Sequence, residues 1–572
     1  MQRSFLVLFI LGLTLGLQAQ PAYEIPGLFN ADGSAHLIPD PMWPWGDTVN
    51  VLNYDVDPLD NDHDDRPGIE AAVNAASAGD LVYFPNGVYN MKSAHTSSST
   101  AHLVLSDGYH LHGESQAGAV IKSQFPLSVN QNNTSKTVKI QGVFAATIKN
   151  LTFTSDFSGV YWTDRVNNNP DRSAPGVHLY IDDNGSTPSR QIVVENCTFE
   201  KFRAMGIRLA NSSNCIVRNS SFHLATDVGG GGAGYGISLQ GNGHGNDSYG
   251  LSRDSRFNLL ENNTFTGPQI RHGIVIQYYS HNNLILNNTA HATTMDAIDL
   301  HGEDEYNNEI AYNTVSDVTL GGGVGIGNTG ADHDASGYYN YIHHNTFSNC
   351  REGVKVYLGS PYTRIEHNVF ESFAVGGSKG IYILNGPHTT IKNNIIRYNV
   401  ADGFVGIYLK HDNGTLGDYD GDPEYVWIDS NEAYYNTNGV WIENGQNIFY
   451  GPNNIVHSNN EADTLFGVNV TWWEPVSIDD ELNTPATHLL MSSFPNPFNN
   501  SFLLQVDLPL AGETRILIYD LRGRVISTLH EGPLETGSYR FQVNSNSLES
   551  GIYIIQLIQG TAQYSHKVLL NR

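Results

Sequence analysis

Cysteine is scarce in this chain: three residues, Cys197, Cys215 and Cys350, odd in number and far apart. That excludes a disulfide framework or a metal knuckle and leaves them as small buried side chains. Basic residues are also few, 30 against 58 acidic ones, for a net charge of −28. A nucleic-acid partner is excluded, because phosphate binding needs the opposite sign. A carboxylate surplus suits divalent cations, a salty medium, or simply a solvated acidic surface. Long apolar runs are missing after the N-terminus, so no transmembrane segment is expected. The one apolar run, Phe5 to Leu17, follows Arg3 and precedes the small-residue site Leu17-Gln18-Ala19. It is too short to span a bilayer and reads as a cleavable signal peptide, residues 1–19, which takes the protein out of the cytoplasm.

Glycine is plentiful at 57 residues, with many Asn, Thr and Tyr, as in a chain of strands and turns. The 572 residues exceed one compact core, so two or more units are expected. A short pattern recurs: Gly or Ala, aliphatic, any residue, aliphatic. It appears as Gly176-Val-His-Leu, Gly206-Ile-Arg-Leu, Gly236-Ile-Ser-Leu, Gly273-Ile-Val-Ile, Ala297-Ile-Asp-Leu and Gly323-Val-Gly-Ile. It continues from Gly353, Gly380, Gly406, Gly439 and Gly467, with starts 24 to 37 residues apart. A second pattern, in phase with it, holds Asn at one place: Asn263, Asn288, Asn313, Asn345, Asn368 and Asn394. Each repeat thus carries at least two short strands and buries its apolar side only by stacking on its neighbours. An Asn recurring at one turn predicts an internal ladder of amides.

These repeats resemble the right-handed parallel β-helix of the pectate-lyase-like superfamily, over roughly residues 50 to 475. The entry segment agrees. Asp64-Asp65-Arg66-Pro67-Gly68 opens a short amphipathic helix that caps the solenoid, and Leu81 to Tyr89 looks like a first coil. After Trp472-Trp473 the repeat stops and a polar linker follows. Then come Phe494-Pro-Asn-Pro-Phe498, Tyr519-Asp-Leu-Arg-Gly-Arg524 and Gly551-Ile-Tyr553, spaced for a small seven-strand β-sandwich. Their order resembles the type A sorting domain of the type IX secretion system, which implies a signal read by an outer-membrane translocon and usually removed. The fold expected is all-β, a right-handed parallel β-helix followed by a small C-terminal β-sandwich. The boundaries expected are 20–476 for the β-helix with its N-terminal cap, 477–493 for the linker and 494–572 for the sorting domain. The protein is expected to be a monomer, secreted or attached to the cell surface, with the type IX machinery as one partner.

The resemblance implies that binding or catalysis uses the outward side chains of one long sheet. Within Gly-Ile-x-Leu the aliphatics point inward, so x and the residue two later point outward. The pairs run from His178 and Tyr180 to Trp441 and Glu443. One coil stands out, Met295 to Glu305: Asp299 and His301 face outward, Asp296 lies just before the strand and Glu303 just after it. One coil earlier lie Arg271, His272 and Gln277; two coils later lie Arg351, Lys355 and Tyr357. Gly325 and Gly327 between them predict a depression about 10 Å across. Tyr382, Tyr408 and Trp441 continue the face as a track on which sugars would stack.

Carboxylates, His, Lys and Tyr around a depression suit an acidic polysaccharide. Lyase or epimerase chemistry needs a neutralised uronate carboxylate, a base for the proton beside it and an acid for the leaving oxygen. His301 or Lys355 is the candidate base, Tyr357 the acid, and Asp299 the partner of His301. Arg271, His272, Gln277 and Arg351 are candidate substrate contacts. Asp296, Asp299 and Glu303 are candidate ligands for Ca²⁺, which would screen the substrate's charge; no organic cofactor is expected. Glycoside hydrolysis is the alternative. Laid on the polygalacturonase motif order, Asp296 matches one member of the Asp pair. His272, Val275, Met295 and Gly322 depart from the pattern, and Lys355 with Tyr357 replaces Arg and Lys. A pair such as Asp299 and Glu303 would still serve hydrolysis. A non-catalytic glycan-binding adhesin is a third reading. Two insertions, Gln240–Phe257 and Gly327–Gly337, are placed to wall the groove. Asp412 with Asp418 to Glu424 reads either as a Ca²⁺ loop or as plain acidic turns.

Overall fold

The computed structural model describes residues 22–29, 34–40, 46–130, 134–241, 254–301, 305–327, 337–414 and 420–472, and in the C-terminal unit 490–494, 498, 501–508, 511–534, 537–544, 548–559 and 562–570. Three long parallel sheets wind around one core. The first runs from Thr48–Asn50 to Val470–Trp472, the second from Gly87–Met91 to Ile455–His457, and the third from Ala101–Leu105 to Ala462–Phe466. Each strand pairs with its equivalents one coil before and one after; Ile298 lies between Ile274 and Val324.

The repeat explains this. Inward aliphatics such as Ile274, Ile298, Val324, Val354 and Ile381 stack as a file in the core. Phe153, Phe199, Phe222 and Phe265 stack beside them with centroids 4.9 to 5.2 Å apart. The amide ladder forms as expected. Asn288 Nδ2 donates to Asn313 Oδ1 at 3.0 Å and to the Leu260 carbonyl at 2.9 Å, while Asn313 Oδ1 also accepts from the Asn288 backbone N–H at 2.8 Å. The same contacts link Asn263 through Asn394 to Asn431. The residue before each ladder Asn is left-handed, for example Asn287 (φ 55), Tyr312 (φ 59) and His344 (φ 54). That conformation is costly for a side chain with a Cβ, and the ladder holds it.

Helix α1 (Arg66–Ala75) caps the N-terminal end, placing Ile69, Ala72 and Val73 against Val51 and Val82. Gly68 is required there, since a Cβ would lie 2.0 Å from the Asp55 carbonyl oxygen. At both ends of the solenoid the register corrects the repeat. Tyr180 pairs with Arg208, so His178 takes the glycine place and is buried among Phe153, Phe199 and Phe202 rather than facing out. Trp441 pairs with Leu465, so the last coil uses Ala462–Phe466 and not the copy at Gly467.

Among its described residues the C-terminal unit has seven strands, from Leu490–Phe494 to Ala562–Leu570, paired antiparallel around their own core of Phe502, Leu504, Ile516, Phe541 and Ile555. The strands Ala22–Phe29 and Ala35–Pro39, expected in the β-helix, join it instead. Ala22–Phe29 pairs in parallel with Gly537–Asn544 and antiparallel with Ala35–Pro39. Ile25, Ile38 and Leu503 cover the outward Val193, Ile216, Leu259 and Leu284 of the first sheet. Periodicity carries no information about such a pairing between distant segments. All three cysteines are buried and unbridged, their thiols pushed up to about 12 by burial. No described helix is long and apolar enough to cross a membrane. The expected signal peptide and most of the expected linker lie outside the described residues.

Candidate active site

Pairing in the third sheet carries Val275, Asp299, Gly325, Lys355, Tyr382, Tyr408 and Trp441 as one outward file along the solenoid. A second outward file, three residues upstream, was not anticipated as such: His272, Asp296, Gly322, Glu352 and Lys379. Strict alternation fails between the files because the small residue separating them sits at a corner. A Cβ on Gly323 would lie 2.3 Å from the Phe347 ring, and one on Gly353 2.4 Å from Phe370. Glu352 was missed for this reason, although it precedes Gly353 just as Asp296 precedes Ala297.

The two files converge on one cluster. Asp299 is fully buried, and its Oδ2 lies 2.8 Å from His301 Nδ1, which keeps the imidazole oriented with its ring 24% exposed. His272 is 2% exposed; its Nδ1 donates to the Asp296 carbonyl at 3.0 Å and lies 3.7 Å from Asp299 Oδ2. Burial pushes the His272 imidazole down to about 4, so it is neutral at physiological pH. Asp296 reaches across the glycine coil, where its carboxylate accepts from the Gly322 N–H. A Cβ on Gly322 would lie 2.9 Å from Asp296 Oδ1, and one on Gly325 3.2 Å from its Cγ. The expected depression is therefore occupied: the glycines make room for Asp296. Gly327 follows the strand in a turn, at φ +81.

Burial, reinforced by the charge of Asp299, raises Asp296 to about 7; the Gly322 N–H and Lys355 oppose that rise. One carboxyl group poised at neutrality beside a second is an acid–base arrangement. On the far side of the glycines, Tyr357 is 6% exposed and faces Asp296, Asp299, Glu352 and Asp412. Burial and those charges push its hydroxyl well above 10, so it stays a phenol. Lys355 Nζ lies 4.2 Å from the centre of its ring. Glu352 is raised by burial, against the pull of Lys355, Arg351 and Lys379.

Thus Asp296, Asp299, His301, Lys355 and Tyr357 come together, with His272 beside them. Arg271 is taken up elsewhere, its Nη1 donating to the Arg165 and Val228 carbonyls, each at 2.8 Å. Gln277 is 7% exposed and accepts from Gln240. Arg351 stands on the rim, 48% exposed. The aromatic track exists, but its rings face one another: Tyr382 and Tyr408 lie 5.3 Å apart at 7°, and Tyr408 and Trp441 5.1 Å apart at 41°. A sugar would meet their edges and hydroxyls, and the Tyr408 hydroxyl already bonds Glu443. Lys136, Lys139 and Arg208 extend the face upstream. The repeat did not reveal the two lysines because their coil lacks the glycine.

His272, Asp296 and Asp299 each offer a ligand atom within 4.8 Å of the others. Two carboxylates and an imidazole fall short of the six to eight oxygens Ca²⁺ takes. Glu303 lies outside the described residues, as do most of both insertions expected to wall the groove. In the acidic loop, Asp420 and Asp422 clamp His411 at 2.8 Å each, which raises that imidazole.

The right-handed β-helix region family matches residues 128–377 and 326–418. The chain belongs to that family. Residues 492–571 match the secretion-system C-terminal sorting domain, so this β-helix protein carries a type IX export signal to the cell surface or beyond. Among solved structures it is similar to the A-module of mannuronan C-5 epimerase AlgE6 of Azotobacter vinelandii, at 17% identity over 75% of this chain and 100% of that one, TM-score 0.39. It is similar to the catalytic unit of a GH87 α-1,3-glucanase of Streptomyces thermodiastaticus, at 15% identity over 68% of each, TM-score 0.40. It is also similar to PfbA, a surface adhesin of Streptococcus pneumoniae, at 15% identity over 78% of this chain and 98% of that one, TM-score 0.44. Curated proteins give no significant match.

Proposed function

We propose that this β-helix protein is an exported polysaccharide lyase that cleaves a uronate-containing chain by β-elimination. The observation that carries the reading is the poised Asp296 beside the Asp299–His301 pair, with phenolic Tyr357 facing both carboxylates. Lys355 and protonated Asp296 would neutralise the uronate carboxylate and so acidify the neighbouring C–H. His301, oriented by Asp299, takes that proton. The C–H electron pair becomes the new C=C bond, the C–O bond to the leaving sugar breaks, and Tyr357 protonates the departing oxygen. No step runs through a metal.

A second reading, glycoside hydrolysis, draws on the same carboxyl pair, with Asp296 as acid and Asp299 as base or nucleophile. The deciding assay incubates the purified chain with uronate-containing and neutral polysaccharides, with and without chelator. It follows unsaturated product and reducing ends together. Elimination gives both signals on the uronate polymer alone, unchanged by chelator and lost in His301→Ala. Reducing ends without unsaturation would replace it with hydrolysis. Binding with neither signal would leave a glycan-binding solenoid.

A further inference from the structure

Between the strands Thr152–Ser155 and Val177–Asp182 the chain leaves the solenoid as a strap, residues 156–175. The strap runs along the edge of the third sheet toward the acid–base cluster. Its seat is a glycine run. A Cβ on Gly229 would lie 2.3 Å from the Asn167 carbonyl oxygen, and one on Gly230 3.1 Å from that of Val166. Asn168 Nδ2 donates to the Gly230 carbonyl at 2.9 Å, and Asn169 Nδ2 to those of Thr226 at 2.7 Å and Val160 at 3.0 Å. At the tip the Asp164 carboxylate accepts from the Val166 and Asn167 N–H groups, at 2.8 and 3.2 Å, and this closes a turn with Arg165 at its apex. Arg271 ties that apex down through the Arg165 carbonyl. The Arg165 side chain is exposed, and its Nη1 lies 3.4 Å from Met295 Sδ, one residue from Asp296.

We propose that Arg165 is a substrate-binding residue. Its guanidinium pairs with the carboxylate of a uronate adjacent to the reacting one, and Arg271 is the positioning residue that holds it there. The inference rests on the lyase reading for its acidic substrate. It accounts for an exposed cation fixed by a buried seat and by another arginine. A fork of donors held at a carboxylate gives a strong charge-assisted bond, and fixing the backbone beneath it lowers the ordering cost of making it.

The test uses the full chain with uronate oligosaccharides and the same oligosaccharides after carboxyl reduction. Arg165→Ala is expected to weaken binding of the acidic ligand about tenfold or more, Arg165→Lys less, and neither to change binding of the reduced ligand. In turnover the loss falls on KM and not kcat. Gly229→Ala displaces the seat and should reproduce the loss without adding to Arg165→Ala, its melting curve reporting that the solenoid stays folded. Unchanged acidic binding in Arg165→Ala, or an equal loss on both ligands, overturns the assignment. Binding that depends on Arg165 without any turnover supports it while removing the lyase reading.

Discussion

Asp296 binds a proton more tightly in the folded chain than an exposed carboxyl does, from 3.8 up to about 7. The protonated form is therefore the one the fold favours. Its contribution to stability is complete below about pH 4 and is lost as pH rises through 7. A uronate carboxylate approaching the ionised form meets like charge, so elimination should weaken as pH rises past about 7, where Asp296 loses its proton. Asp296→Asn keeps an oxygen for the Gly322 N–H and cannot ionise. The expected outcome is a retained rate at pH 6 and a flattened alkaline limb, where the wild type falls about tenfold per pH unit. A pH–rate profile with matched thermal melts checks both parts. A loss of a hundredfold or more at every pH would instead make Asp296 the acid of a hydrolase. Asp299 and His301 were legible because alternation places them outward. The environment of Asp296 was not, because nothing in the spacing shows that Gly322 and Gly325 admit its carboxylate.

At the level of the coil, stability rests on groups satisfied from one turn to the next. Asn313→Ala removes the acceptor of the Asn288 N–H and amide, and the donor to the Ile285 carbonyl and Asn345. Leaving several buried polar groups unpaired should cost roughly 3 kcal/mol or more. Urea unfolding is the check, with Asn453→Ala, an exposed residue outside the ladder whose amide donates to the Asp429 carboxylate at 3.2 Å, as the mild comparison. A similar loss in both would mean that the ladder is incidental. The six ladder positions stood out in the sequence because their spacing is shared and their chemistry is self-complementary. The strap did not stand out. Residues 156–175 have no periodicity, and their position follows from two arginines and a glycine run that only the folded chain brings together.

Over the whole molecule, a net charge of −28 coexists with a sheet face that carries Lys136, Lys139 and Arg208 upstream and Lys355 and Lys379 downstream. An acidic exterior discourages non-specific anion binding, and on the lyase reading proposed above the local row of cations would draw an acidic polymer to this one face. The architecture and the sorting domain were legible from end to end, since repeats and motif order are properties of sequence. The pairing of Ala22–Phe29 with Gly537–Asn544 was not, because strand addition between distant segments leaves no periodic trace. What distinguishes elimination from hydrolysis most directly is the fate of water. Cleavage of a uronate polymer by the wild-type chain in water enriched in heavy oxygen, read by mass spectrometry, decides it. Elimination yields fragments one water lighter at the new non-reducing end, with no heavy oxygen from the cleavage step. One heavy oxygen per cut, carried on the fragment with the new reducing end, together with a saturated new non-reducing end on the other fragment, would contradict the lyase.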